Sequence, residues 1–291
     1  MAPRLGHRLR IFGAKFLPPV LADLLRPFAG DRHLPQAWHQ VESGVLKGTW
    51  LYLSPSRMGR MLRGSYEAGL VSAITSIVQP GWICLDVGAH FGYHSLLLAA
   101  LVGARGQVHA FEPAPFNVRM LTLHVERNQQ HGVVHVHPIA LSDANGTAIL
   151  RASNSPESSG LGFLAGAHVL SRPIMRQFTT LEVEQRRLDD LVAAGTIPRP
   201  HFLKIDVEGA EVACLRGAMT TLRTARPVVA AELHTAASAA ESAGLLTDLG
   251  YHLSVLEDRE AARCLVLARP SSIPPQAPSN LRGERKPDLG I

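Results

Sequence analysis

Residues 82–113 constrain the fold most, because two short apolar runs there flank a glycine-hinged segment that is itself apolar enough to be a packed helix. Trp82 to Val87 suits a buried parallel strand, and it stops at glycines, where such strands hand over to a helix. Gly88 and Gly92 let the backbone bend sharply and approach a ligand with no Cβ in the way. Tyr93 to Val102 supplies the apolar face of the helix that follows. Val108 to Phe111 is a second strand that ends in Glu112, and Pro113 closes it. In an open α/β sheet the ligand crevice lies at the carboxyl ends of such strands, so Asp86 and Glu112 are expected to face it.

The glycine spacing narrows the ligand. A dinucleotide site wants Gly-x-Gly-x-x-Gly, whereas this loop is Gly88-x-x-x-Gly92, with His90 where the middle glycine would stand. A pyrophosphate cradle is therefore disfavoured, and with it an NAD-dependent oxidoreductase. Glu112 lies twenty residues past Gly92, where an acid can accept hydrogen bonds from both hydroxyls of a ribose. An adenosine that carries a sulfonium and an amino-acid tail needs this acid and this open loop but no phosphate cradle, so S-adenosylmethionine fits better than NAD.

The net charge of +5 belongs to the ends of the chain. Residues 1–32 hold six basic against two acidic side chains, residues 270–291 three against two, and the body between has twenty of each. A neutral body argues against a nucleic-acid partner, which would need clustered Lys and Arg on the folded surface. Cys84, Cys214 and Cys264 show no Cys-x-x-Cys spacing, so free buried thiols are expected. No apolar stretch reaches membrane-spanning length and no secretion signal is evident, which makes a cytoplasmic protein the expectation.

Strands alternate with helices from Trp82 onward. Ser65 to Val78 reads as the helix leading into the first strand, with Ser65 as its N-cap. Pro115 to Asn128 reads as a helix and Val133 to Ile139 as the third strand, whose end at Ala140-Leu-Ser-Asp143 lies near where an adenine ring would rest. Residues 145–188 change to short polar-apolar stretches and read as an inserted β-ribbon with a flexible tip, either an acceptor-binding element or a plain sheet extension. Phe202 to Asp206 and Pro227 to Leu233 are further strands, and Tyr251 to Leu256 with Arg263 to Ala268 an antiparallel pair. The result is an α/β chain with a doubly wound, mostly parallel sheet. Residues 1–59 form a partly helical extension, 60–269 the main domain and 270–291 a Pro-rich tail expected to be disordered. Within the extension, residues 5–28 mix Arg8, Arg10 and Lys15 with apolar side chains, which suits either peripheral membrane contact or packing over the core, and Pro18 and Pro19 interrupt any helix there.

Five segments occur in a telling order: Asp86-Val-Gly-Ala-His-Phe-Gly-Tyr-His-Ser95, Phe111-Glu-Pro113, Ala140-Leu-Ser-Asp143, Phe202-Leu-Lys-Ile-Asp-Val-Glu-Gly-Ala-Glu211 and Glu232-Leu-His234. Together they resemble the FkbM-type methyltransferases over roughly residues 60–268, most specifically in the Leu203-Lys-Ile-Asp-Val-Glu-Gly209 block. The resemblance implies a Rossmann-like class I methyltransferase fold with a seven-stranded sheet, and S-adenosylmethionine-dependent O-methylation of a sugar or secondary-metabolite hydroxyl. Such a family also leaves open a lipid or protein acceptor at a membrane, or a noncatalytic cofactor-binding protein. Cofactor contacts are expected from Asp86, Gly88, His90, Gly92, Glu112, Pro113 and Asn117, and from Ala140, Leu141 and Asp206. His90 departs from the asparagine the family often has there.

Methyl transfer to an alcohol needs alignment and a group to take the hydroxyl proton. His234, Asp206, Glu208 and Lys204 are the catalytic candidates, since all lie at or just after strand ends on the cofactor side. His234 has the ordinary pKa of a base near neutrality, whereas Asp206 and Glu208 would need raising by burial. The structural alternatives are that Glu208 caps the next helix and Lys204 pairs an acid. Asp206 and Glu232, ending adjacent strands with His234 nearby, could supply oxygen ligands to a hard cation such as magnesium. His94 and the cluster His131, His135 and His137 read as surface or helix residues.

Overall fold

A computed structural model describes residues 36–153, 162–164, 178–260 and 263–271 of the 291. A hairpin of β1 (Ala37–Gln40) and β2 (Trp50–Leu53) comes first, followed by helices α1 (Pro55–Leu62) and α2 (Ala68–Ile77). Then β3 (Ile83–Val87), α3 (Tyr93–Val102), β4 (Gln107–Phe111), α4 (Pro115–Arg127) and β5 (Val134–His137) alternate. The short β6 (Ala140–Leu141) leads to β7 (Gly146–Ser153), β8 (Gly162–Leu164) and β9 (Phe178–Arg186). Alternation resumes with α5 (Leu188–Ala193), β10 (Phe202–Ile205), α6 (Glu211–Arg216), α7 (Met219–Thr224), β11 (Val228–Leu233) and α8 (Ala236–Asp248). The described chain closes with β12 (Tyr251–Glu260) and β13 (Arg263–Pro270).

The central sheet has seven strands in the order β12-β13-β11-β10-β3-β4-β5. Only β13 runs against its neighbours, and the pairs β11-β10, β10-β3, β3-β4 and β4-β5 are parallel. The chain steps outward from β3 to β5, then crosses back to lay β10 on the other side of β3. That reversal splays the connections apart and opens a crevice at the carboxyl ends of β3 and β10. The doubly wound, mostly parallel sheet anticipated from the alternation is thus present, with its antiparallel pair at the edge.

Alternation along the central strands sorts side chains to two cores. Cys84 and Phe202 face one core with Leu97, Leu98, Val108 and Leu121, whereas Leu85, Val87, Leu203 and Ile205 face the other with Leu188, Leu215 and Leu246. A helix buried on most of its surface has little need of a polar face, and α3 buries Tyr93 to Ala99 and Val102. Cys84, Cys214 and Cys264 are free thiols on β3, α6 and β13.

Several local expectations change. The helix expected from Ser65 begins instead at Ala68, because Ser65 closes α1 by bonding the Arg60 carbonyl through its amide at 2.9 Å. Glu67, with φ 44°, then turns the chain into α2. The third strand ends at His137, where Pro138 breaks the ladder and the Ile139 amide turns back to the His137 carbonyl. The ribbon joins a separate four-stranded sheet, β6-β9-β7-β8, while the tip expected to be flexible lies outside the described residues. So do the basic segment 5–28 and nearly all of the Pro-rich tail. Among the described residues no helix is long and apolar enough to cross a membrane.

The β1-β2 hairpin was not legible as strands, yet it is tied firmly to α4. His124, buried on α4, accepts from the Tyr52 amide at its Nε2 (2.8 Å) and bonds the Phe91 carbonyl through its Nδ1 (2.7 Å). Asn128 brackets Trp50 by accepting from its amide and donating to its carbonyl, both at 2.8 Å. Arg127 lies 4.7 Å from the centroid of the Trp50 ring. His124 must be neutral to accept at Nε2 while donating at Nδ1, and it couples the hairpin to the loop that carries Gly88 and Gly92.

Replacing His124 by Ala would strand the Tyr52 amide and the Phe91 carbonyl, and we expect a loss of about 2–3 kcal/mol in denaturant unfolding. Stability should also fall as pH drops from 7 towards 5. Burial holds His124 and His137 below their ordinary value of 6.5, and burial with the neighbouring His137 and His135 pushes His109 down to about 4. These groups are neutral when folded, so the unfolded chain binds more protons below its own pKa and the native state loses ground. Stability that is flat or rises on acidification over this range would contradict the assignment.

Candidate active site

A cavity of about 760 Å³ lies over the carboxyl ends of the central strands. This is ample for a nucleoside-sized ligand together with an acceptor. Of the residues singled out from sequence, Gly88, His90, Glu112, Pro113, Asn117, Ala140 and Leu141 line it, as do Lys204, Asp206, Glu208, Glu232 and His234.

At one end the wall is largely apolar, built from Phe111, Ile139 and Leu141, with Glu112 as the buried acid. Its Oε1 accepts from the Ala114 amide (2.9 Å) and the Asn117 side chain (3.2 Å), and its Oε2 accepts from the His90 amide (2.9 Å). Burial raises its pKa, against the opposing pull of these three donors. A carboxylate offers about four acceptor positions, so room remains on Oε2 for one ligand hydroxyl rather than the two expected. Asn117 therefore acts on Glu112, fixing the plane of its carboxylate.

The loop geometry explains its residues. Gly88 has φ +78°, and a Cβ there would stand 1.8 Å from the Asp206 carbonyl oxygen. His90 has φ 52°, in the left-handed region where Asn, Asp and His are the side chains best tolerated. That is the physical reason a histidine can replace asparagine at this position. Gly92 does not line the cavity; with φ +86° it caps α3, where a Cβ would meet Leu121 at 2.3 Å.

Asp86 also differs from expectation. It does not face the crevice but is fully buried beneath it, because Lys204 and Ser95 draw its carboxylate inward. Lys204 Nζ stands 3.1 Å from Asp86 Oδ1, and Ser95 Oγ donates to Asp86 Oδ2 at 2.6 Å. Lys204 also donates to the Gly88 carbonyl (3.3 Å) and stands 3.6 Å from Asp206 Oδ2. Burial depresses the lysine pKa, but Asp86 first, then Asp206 and Glu67, more than offset this and keep it above the ordinary value. Lys204 is thus a buried clamp between strand ends.

At the other end of the cavity four carboxylates surround one imidazole. His234 Nδ1 lies 2.6 Å from Oε1 of the fully buried Glu211, and its Nε2 stands 3.5 Å from Glu208 Oε2, 3.6 Å from Asp206 Oδ1 and 3.8 Å from Glu232 Oε1. The Gly209 amide fixes the same Glu211 oxygen at 2.8 Å. Burial lowers the imidazole pKa, but the Glu211 hydrogen bond followed by Glu208 and Asp206 outweigh it and lift it to about 9. His234 is thus an imidazolium at neutral pH, not the neutral base its ordinary value suggested. Asp206 is not raised by burial either; Lys204 and then His234 overcome desolvation and hold it below the usual carboxylate value.

Sequence reasoning missed three residues and the role of a fourth. Tyr66 and Glu67, on the turn between α1 and α2, form part of the cavity wall, as does His94. His94 is buried on α3 with Nε2 3.3 Å from Glu67 Oε2. Burial raises the Tyr66 hydroxyl pKa and Glu67 adds to the rise, while burial lowers that of His94. Nothing in the local pattern marks these residues, since the turn that delivers them is set by tertiary contact. Glu211 stood within the quoted motif, and its nearness to Glu208 on the same cofactor-side turn was the signal available. Glu67, His90 and Glu208 are three of the five non-glycine residues with positive φ among those described, so backbone strain is concentrated on this rim. Leu150 of β7 also reaches the cavity, which brings the ribbon to its edge.

The apolar end joins Phe111, Ile139 and Leu141 to the buried Glu112 carboxylate, and Asp206, Glu232 and His234 offer ligand atoms within 4.8 Å of one another. The chain is 27% identical over 189 residues to the hexuronic acid methyltransferase AglP of Haloferax volcanii, covering 65% of this chain and 70% of that one. Among solved structures it is similar to the methyltransferase FkbM from Methylobacillus flagellatus KT, at 15% identity and a TM-score of 0.47, over 73% of this chain and only 54% of that one. A SAM-dependent O-methyltransferase from Thermotoga maritima matches at 15% identity and a TM-score of 0.45, over 81% and 78% of the two chains. The methyltransferase FkbM domain matches residues 86–256, which run from the buried aspartate of β3 into β12 and make up more than half the chain. The protein belongs to the FkbM methyltransferase family.

Proposed function

We propose that the protein transfers a methyl group from S-adenosylmethionine to a hydroxyl of a sugar or a related polyhydroxylated acceptor. The observation that carries this reading is the two-ended cavity, with a nucleoside-sized apolar wall and a hydroxyl-binding acid at one end and a dense set of carboxylates around an imidazole at the other. The likeness to a methyltransferase of hexuronic acid supports a sugar acceptor.

The residues present fit the cofactor. Glu112 Oε2 retains an acceptor position for a ribose hydroxyl, Ile139 and Leu141 offer a surface for the adenine, and the Gly88 backbone permits close approach. When bound, S-adenosylmethionine supplies a methyl group on a positively charged sulfur that departs as a neutral thioether. The chain's own task is to align the acceptor oxygen and to take its proton. His234 is engaged at Nδ1 by Glu211 and ringed at Nε2 by carboxylates that hold a proton there. Asp206 is drawn to Lys204 through Oδ2. Glu208 is the group we assign to receive the proton at Oε2. It lines the cavity, and its side chain is about a quarter exposed, so an acceptor can reach it.

Two measurements test this reading. Calorimetric titration should give binding of S-adenosylmethionine and S-adenosylhomocysteine, weakened at least about ten-fold by Glu112→Ala through loss of a charged hydrogen bond; absence of binding by the unaltered protein would sink the cofactor assignment. Glu208→Gln should lower kcat by about 100-fold or more for transfer of labelled methyl to a uronic-acid-bearing glycan while leaving cofactor affinity unchanged. Unchanged turnover in that variant would remove Glu208 from the proton path.

A further inference from the structure

We propose that Asp206, Glu232 and His234 form a binding site for a divalent transition-metal ion, with Glu211 fixing His234 as one of its ligands. These residues lie at the carboxyl ends of the adjacent parallel strands β10 and β11, and one ligand atom from each lies within 4.8 Å of the others. His234 Nε2 stands 3.6 Å from Asp206 Oδ1 and 3.8 Å from Glu232 Oε1. Those separations are longer than a good N–H···O hydrogen bond and match the ~2.8–3.8 Å between neighbouring donors around an ion held at ~2.0–2.3 Å.

A second observation concerns a residue outside the ligand set. Glu211 is fully buried, its Oε1 is pinned by the Gly209 amide at 2.8 Å, and it bonds His234 Nδ1 at 2.6 Å. This fixes one proton on Nδ1 and turns Nε2 towards the cavity, the arrangement by which a carboxylate orients a ligating histidine, and an ion bound there would take the place of the imidazolium's second proton. The second Glu211 oxygen is buried without a hydrogen-bond partner among the described residues, so the carboxylate serves the imidazole and the Gly209 turn. Charge points the same way: Asp86, Asp206, Glu208, Glu211 and Glu232 converge on two cations, Lys204 and His234. So many largely desolvated carboxylates call for further positive charge. Lys204 approaches Asp206 from Oδ2, leaving Oδ1 for an ion.

The donor set also selects the ion. Oxygen ligands alone suit magnesium, but an imidazole nitrogen among carboxylates favours manganese, iron, cobalt or zinc. Resting on the methyl-transfer reading, an ion here would bind the acceptor hydroxyl and lower its pKa, while Glu208, outside the ligand set, takes the proton. Binding itself does not depend on that reading.

The test is Mn2+ titration of the chelator-treated full chain, followed by electron paramagnetic resonance with neither cofactor nor acceptor present. We expect one ion per chain, with affinity reduced at least about ten-fold in His234→Gln and Glu232→Gln and by a comparable factor in Glu211→Gln. Co2+ added to the unaltered protein supplies a measurement that needs no variant, since nitrogen coordination shifts its visible bands. Failure of the unaltered protein to take up Mn2+ or Co2+, or uptake that folded variants leave unchanged, overturns the proposal. Because no cofactor is present, that failure leaves the methyl-transfer reading standing, and failure of S-adenosylmethionine to bind leaves the metal site standing.

Discussion

The buried ammonium of Lys204 organises the active end of the molecule. It lies in register with Asp86 on the neighbouring parallel strand, and the next strands outward place Ala230 and Ala110 in the same row. Two small side chains flanking a charged pair leave room for a lysine and an aspartate in the middle of a sheet that is otherwise apolar. Burying such a pair costs several kcal/mol per ion in desolvation, which is recovered only when the remaining hydrogen-bonding capacity is filled. Ser95, the Gly88 carbonyl and Asp206 take up part of that capacity. The clamp therefore joins three strand-end segments at the point where the sheet reverses, and the glycine loop cannot move away without taking a hydrogen-bond acceptor from the buried ammonium.

From that clamp the cavity acquires its two ends. On the β4 side the acid accepts from three neutral donors, two of them backbone amides, which spread its charge and fix its orientation. On the β10–β11 side carboxylates outnumber the cations they contact, and the imidazole at their centre is held through Glu211. One end thus presents a single fixed carboxylate in a largely apolar wall, and the other concentrates negative potential next to it.

Much of this was legible in the sequence because it depends on short-range rules. The apolar runs at Ile83–Val87 and Gln107–Phe111, the glycines that must take positive φ, and the acid closing β4 all announce themselves locally. Side-chain direction was less accessible. Asp86 was expected to face the ligand because it ends a strand, but the alternation that puts Leu85 and Val87 in one core sends Asp86 to the opposite face with Lys204. Likewise the ionisation of His234 is set by four carboxylates from separate segments, which no one-dimensional pattern reveals. The hairpin escaped notice because its strands are only four residues each and derive their stability from α4 rather than from their own pattern.

The left-handed rim also governs how such a pocket can diversify. Glu67, His90 and Glu208 occupy backbone conformations that exclude β-branched and bulky substitutes, so the genetic code offers few viable exchanges at those sites. Leu150 on the ribbon and Leu256 on β12 line the same cavity from ordinary extended strands that accept many residue types. Exchanges at Leu150 or Leu256 can therefore reshape those two walls without disturbing the strained rim.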